Sequence, residues 1–230
     1  MRKIVFIGGY DKSDIILYMS KILSLMDKRI LVIDTTLLQK MRYIIPTMTP
    51  TAKYVSTYDG IDIALGFDNM QDLIQYLGIA NFADEYDYII YDIDNPVYYE
   101  SFEIAPQDVH CMLTTFDVYA VTKGVEVLRG IKEPTEILKV LVTRDPASEE
   151  SEYLDFVSFN LKIKWKEDIV YIPFDTEDLY EIYLNQRYSR VKFTGLSMDY
   201  MESLSFLIEN LTDCSSGEIK RAVKMIEREG

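Results

Sequence analysis

Residues 2–27 read RKIVFIGGYDKSDIILYMSKILSLMD. Arg2 to Ile7 form a short, β-branched, mostly apolar run that Gly8-Gly9 stops, the pattern of a buried strand. Beyond it, Ile15, Ile16, Met19, Ile22, Leu23 and Met26 recur at helical spacing. The stretch therefore predicts strand, glycine turn and amphipathic helix. The turn also carries Lys12 and Ser13, residue types that reach and support a bound phosphate. It carries Asp11 and Asp14 as well, and a carboxylate suits a helix N-terminus but repels a phosphate. A plain strand-to-helix turn, capped by Ser13 and Asp14, uses the same residues. Both readings stand at this point.

The pattern repeats outward. Residues 28–36 (KRILVIDTT), 86–94 (YDYIIYDID), 108–116 (DVHCMLTTF), 137–145 (ILKVLVTRD) and 168–175 (DIVYIPFD) read as further buried strands. Several of them end in aspartate. Helical patterns lie at 69–78, 117–131, 176–188, 197–211 and 218–230. Another follows Ser148, where Glu149 and Glu150 suit a helix N-terminus. Residues 35–67 are looser, with strand-like pieces between Pro46, Pro50 and Gly60. Strands apolar on both faces, alternating with helices, predict a doubly wound, mainly parallel α/β sheet covered on both sides. Residues 1–212 are expected to form that domain. Residues 213–230 are expected to form a linker and a C-terminal amphipathic helix. In such folds ligands bind at the carboxyl ends of strands, which singles out Lys12, Ser13, Asp34 and Asp92.

Composition narrows the function. The chain has 230 residues, 48% hydrophobic, which argues against extended disorder. Its 38 acidic and 24 basic residues give a net charge of -14, which disfavours broad nucleic-acid binding. Cys111 and Cys214 make neither a disulfide framework nor a metal site. Cys111 reads as a small core residue. The single histidine, His110, is expected to pack at the start of its strand. The N-terminus turns polar too soon for a signal peptide, and no apolar run approaches the roughly 18 residues of a membrane span. A cytoplasmic protein is the expectation.

The order of these strand ends resembles the deviant Walker A family of P-loop ATPases, the group of ParA, MinD and the TadZ/CpaE pilus-assembly branch. The resemblance runs from the first strand to about Tyr188. The family's loop reads Lys-Gly-Gly-x-Gly-Lys-Thr-Thr. Here Gly8, Gly9, Lys12 and Ser13 match it, Ile7 replaces the signature lysine, Asp11 replaces a glycine and Asp14 a threonine. Asp34 matches the first acid of the second strand, while Thr36 stands where the water-positioning acid is usual. Asp92 matches the Walker B acid, with Asp94 an extra acid after it, and Thr143 replaces an adenine-reading asparagine before Arg144. The resemblance implies ATP or ADP with Mg2+ as the ligand, Gly8, Gly9, Lys12, Ser13 and Thr143 on the nucleotide, and Ser13 and Asp92 on the metal. Asp34 and Asp94 are the catalytic candidates. The losses imply a degenerate member with weak or absent hydrolysis, a homodimer acting as a localisation or assembly factor for a pilus or secretion machine.

Three rivals stand beside it: an active ATPase of the same fold, a nucleotide-free protein-interaction domain, and a DNA-segregation ATPase that the charge disfavours. MinD resembles this chain in carrying a C-terminal amphipathic helix, one that binds membranes. In residues 218–230 the basic residues are offset by Glu218, Glu227 and Glu229, and no Trp, Phe or Leu is present to insert. A helix packed on the domain or on a partner is favoured over a membrane anchor.

Overall fold

Strand β1 (Arg2–Ile7) lies inside an eight-stranded sheet of a computed structural model that describes residues 1–47, 52–79, 81–144 and 148–229. The side chains of residues 148–150 and 227–229 are outside that description, as are the acidic side chains expected to start the helix at Ser148. The other strands are β2 (Ile30–Asp34), β3 (Tyr54–Tyr58), β4 (Ile61–Leu65), β5 (Tyr88–Ile93), β6 (Val109–Thr114), β7 (Thr135–Thr143) and β8 (Ile163–Pro173). Their order is β3-β4-β2-β5-β1-β6-β7-β8. All neighbours are parallel except β3 and β4.

Side-chain alternation sorts each central strand onto two layers. Ile4 and Phe6, Ile30 and Val32, and Tyr88 and Ile90 belong to one core. Helices α1 (Ser13–Ser24) and α8 (Met198–Leu211) cover it. Val5 and Ile7, Leu31 and Ile33, and Ile89 and Tyr91 belong to the other. That side is covered by α3 (Met70–Leu77), α5 (Val118–Arg129) and α6 (Ser148–Ser158). Helix α7 (Thr176–Arg187) adds Ile182 to the first core. Short helical turns, α2 (Met41–Ile44) and α4 (Tyr98–Ser101), follow β2 and β5.

Local chemistry sets several ends. Asn69, Asp117 and Ser197 cap α3, α5 and α8 by accepting a backbone N–H three residues on. Gly78 ends α3 in the left-handed conformation. The looser region holds a hairpin: β3 and β4 are joined at Asp59-Gly60, both at positive φ, as a two-residue hairpin turn requires. Sequence reading found only strand-like pieces in this region and passed over the hairpin signal of the Asp59-Gly60 pair. His110 is 1% exposed near the start of β6, its Nδ1 2.8 Å from the Asp108 carbonyl oxygen, and Cys111 is buried.

The last helix, α9 (Ser216–Glu229), follows α8 after four residues. Ile219, Ala222 and Ile226 enter the same core as α1 and α8. Replacing Ile219, which is fully buried, by Ala should cost about 2–4 kcal/mol. The half-exposed Met225→Ala should stay within about 0.5 kcal/mol of wild type. Urea denaturation measures both, and equal small effects would mean that α9 is not part of the folded core.

Candidate functional site

Register gathers the residues singled out in the sequence. Phe6 lies beside Asp92 across the β1–β5 pair, and Asp34 beside Asp92 across β2–β5. Asp34 and Asp92 continue the alternation of Ile30, Val32, Tyr88 and Ile90, so both fall on the face that α1 covers. Lys12 immediately precedes α1. Its Nζ lies 2.8 Å from Asp92 Oδ1, and both side chains are about 1% exposed. The same ammonium donates to the carbonyl oxygens of Gly8 (2.7 Å) and Tyr10 (3.2 Å). The lysine expected to reach outward is turned inward and fully engaged.

The glycines are demanded by packing. Gly8 has a φ of +147°, and a Cβ there would lie 2.3 Å from the Leu113 carbonyl oxygen of β6. A Cβ on Gly9 would lie 2.4 Å from Lys123 Cβ of α5. Both glycines let the turn press against neighbouring elements, a constraint that holds with or without a ligand.

Asp11 does what a glycine could not. Its Oδ1 accepts the Ser13 backbone N–H at 3.1 Å, and its other oxygen pairs with Lys40. The carboxylate thus sits at the N-terminus of α1 as the chain's own anion. The N-cap position of α1 is Lys12, which gives no side-chain cap, so neither Ser13 nor Asp14 caps the helix as the turn reading expected; Asp11, one residue earlier, takes the Ser13 N–H. Asp14 accepts instead from Gln186 Nε2 of α7 at 2.6 Å. Burial pushes its carboxyl up to about 6, against the pull of Gln186, with Asp11 adding to the rise.

The remaining acids are also committed. Asp34 accepts both the backbone N–H (3.0 Å) and the hydroxyl (2.6 Å) of Thr36 on Oδ1. Its Oδ2 is buried without a hydrogen-bond partner, and burial raises its pKa. Asp94 Oδ2 accepts from the Leu37 N–H at 2.9 Å. Burial pushes Asp92 up to about 7; Lys12 opposes this, and the charges of Asp34 and Asp11 reinforce it.

A cleft of about 280 Å³ opens here, lined by Gly8, Gly9, Lys12, Ser13, Asp92 and Asp94 among others. Asp34 is not on its wall. Thr143, at the end of β7, is not on it either; Val142 lines the small cleft of about 70 Å³ beside Tyr10 and Asp14. Sequence reading missed Lys40, Lys123 and Tyr119, which complete the larger cleft. Their only signal was position: Lys40 follows a strand's carboxyl end, and Tyr119 and Lys123 lie in the helix after β6. Ile7, in the place of the signature lysine, is fully buried in the core between the sheet and its helices.

Among the described residues, no group of three or more His, Cys, Asp or Glu is placed to hold a metal ion, and no helix is long and apolar enough to cross a membrane.

With this geometry the sheet can be compared with solved structures. A ParA family ATPase from Chlorobium tepidum TLS superposes with a TM-score of 0.60 at 16% identity, over 90% of this chain and 98% of that one. MinD in the MinC:MinD cell division complex of Aquifex aeolicus gives 0.56 at 14% identity, over 94% and 99%. The ATP complex of a Cyanothece McdA variant gives 0.55 at 13%, over 92% and 96%. The fold is that of the ParA/MinD ATPases. No protein-family model matches the chain, and no curated protein matches it by sequence.

The ParA/MinD-like loop of this chain does not fit a nucleotide phosphate as it is folded. Its Ser13 N–H is taken by Asp11, and its lysine by Asp92 and two carbonyls.

The two raised carboxyls carry a sign for stability. A folded-state pKa above the unfolded value means that the native state holds its proton more tightly. The stabilisation is full below about pH 4 and is lost as pH rises through about 6 for Asp14 and about 7 for Asp92. Asp14→Asn keeps an acceptor for Gln186 and removes the charge. It should raise stability at pH 8 by about 1–2 kcal/mol and have little effect near pH 4. Urea unfolding at the two pH values measures this, and an equal effect at both would refute the buried-charge account.

Proposed function

We propose that this chain is a degenerate ParA/MinD-like protein with weak or absent ATP hydrolysis. In this reading it acts as a localisation or assembly factor, a homodimer working through protein partners of a pilus or secretion machine. One observation carries the closed-loop part. Asp11 fills the anion position at the start of α1, accepting the Ser13 N–H and pairing with Lys40. Two further features support it. Catalysis of phosphoryl transfer rests on positive charge at the phosphates and an oriented water. Ile7 offers no charge, and Thr36 in place of an acid is itself a donor to Asp34. The link to an assembly machine rests on the resemblance to the TadZ/CpaE branch in the order of worn motifs.

The rival reading, an active ATPase, has its own support: Gly8, Gly9, Lys12, Ser13 and Asp92 do share one cleft. In that reading Lys12 would meet the phosphates, Ser13 and Asp92 would hold Mg2+, and Asp34 or Asp94 would replace the lost acid. It requires Asp11 to leave Ser13, and Lys12 to leave Asp92. Solved structures of this fold include one bound to ATP, the McdA variant.

Calorimetric titration with Mg-ATP and Mg-ADP separates the two. Wild type should bind no tighter than about millimolar, and Asp11→Gly, which restores the family's glycine and frees an N–H, should bind at least about tenfold tighter. Micromolar binding by wild type, lost in Asp11→Gly, would overturn the closed-loop reading.

A further inference from the structure

A large apolar cleft lies away from the phosphate loop, between α8 and α9, with a volume of about 790 Å³. Met198, Met201 and Phe206 of α8 and Val223 of α9 line it. Met198 is 74% exposed and Phe206 41%, large apolar side chains held in water. Methionine surfaces adapt readily to a partner's shape.

Its charges are sorted by wall. Glu202 and Glu209 stand on α8, seven residues and about 10 Å apart along the axis. Lys220 and Lys224 stand on α9, one turn apart. No ion pair joins any of the four to another described residue. The two helices, linked by four residues, form a short hairpin with an acidic edge and a basic edge.

We propose that this groove is the face through which two copies of the chain pair. A two-fold axis brings a surface against itself. Here it sets the acidic edge of each hairpin on the basic edge of the other and seats Met198 and Phe206 in the facing groove, making a four-helix arrangement. Two chains of net charge -14 repel one another at long range. Close approach therefore needs a local complement, and this groove carries both halves of one. The interface uses no residue of the phosphate loop, so it forms without nucleotide and stands whether or not the loop is closed.

Sedimentation of the full chain from about 1 to 100 μM tests it, a range that brackets micromolar association. Wild type should dimerise, with or without Mg-ATP. Two exposed double variants reverse one edge each: Glu202→Lys with Glu209→Lys, and Lys220→Glu with Lys224→Glu. Each alone should weaken dimerisation at least about tenfold, because like charges then face across both halves. Their equimolar mixture should restore it, since reversed acidic edges meet reversed basic edges in the heterodimer. Unchanged far-ultraviolet circular dichroism spectra confirm that the variants fold. A wild type that stays monomeric throughout, variants that dimerise as well as wild type, or a mixture that stays monomeric would each overturn the proposal.

Discussion

The site depends on one buried ion pair. Lys12 leads into α1 and Asp92 ends β5, and each is sealed from water. A lone charge at such depth is strongly disfavoured, so the loop, β1 and β5 must close together for either to be tolerated. Burial pushes the Asp92 carboxyl up while the ammonium holds it down, and the Gly8 and Tyr10 carbonyls take up the remaining donors of Lys12. Such a pair is weak evidence of net stability, since a well-packed apolar substitute can do as well. What it does specify is geometry. It anchors the turn onto the sheet and draws the lysine away from the cleft mouth.

Asp11 follows from the same constraint. With Lys12 turned inward onto Asp92, the start of α1 is served by groups of the chain itself. A carboxylate in the chain satisfies the Ser13 donor and complements the helix dipole. Lys40, from the loop after β2, then balances Asp11. The charges of the cleft are matched internally, carboxylate to lysine and carboxylate to backbone. Gly8 and Gly9 survive in this arrangement because Leu113 and Lys123 leave no room for a Cβ.

The α8–α9 hairpin shows the opposite state. Its inner faces are spent on the core through Leu204, Leu207, Ile219 and Ala222. Its outer faces leave Met198 and Phe206 in solvent, and Glu202, Glu209, Lys220 and Lys224 make no ion pair with another described residue. The charges of the phosphate-loop side are matched within the chain, whereas this hairpin keeps Met198 and Phe206 in solvent beside charges of both signs.

Much of the fold was legible in the residues themselves. Short β-branched apolar runs such as Ile30–Ile33 and Tyr88–Tyr91, alternating with helical patterns, match a sheet covered on both faces, and periods of 3.6 marked α1, α5, α7, α8 and α9. The hairpin of β3 and β4 showed only as strand-like pieces, because its strands are short and one lies at the sheet edge. The candidate site was legible as a set of residue types at strand ends, since alternation and a parallel sheet bring Asp34, Asp92 and Lys12 to one end and one face. Where those charges point was not. The sequence by itself determined the layered parallel sheet and the gathering of Lys12, Ser13, Asp34 and Asp92. Only the tertiary structure decided that Lys12 is buried on Asp92, that Asp11 takes the Ser13 N–H with Lys40 behind it, and that Asp34 and Thr143 stay off the cleft wall. The reason is physical: periodicity follows from bonds between near neighbours, whereas a charge's partner is chosen by burial among groups far apart in the chain.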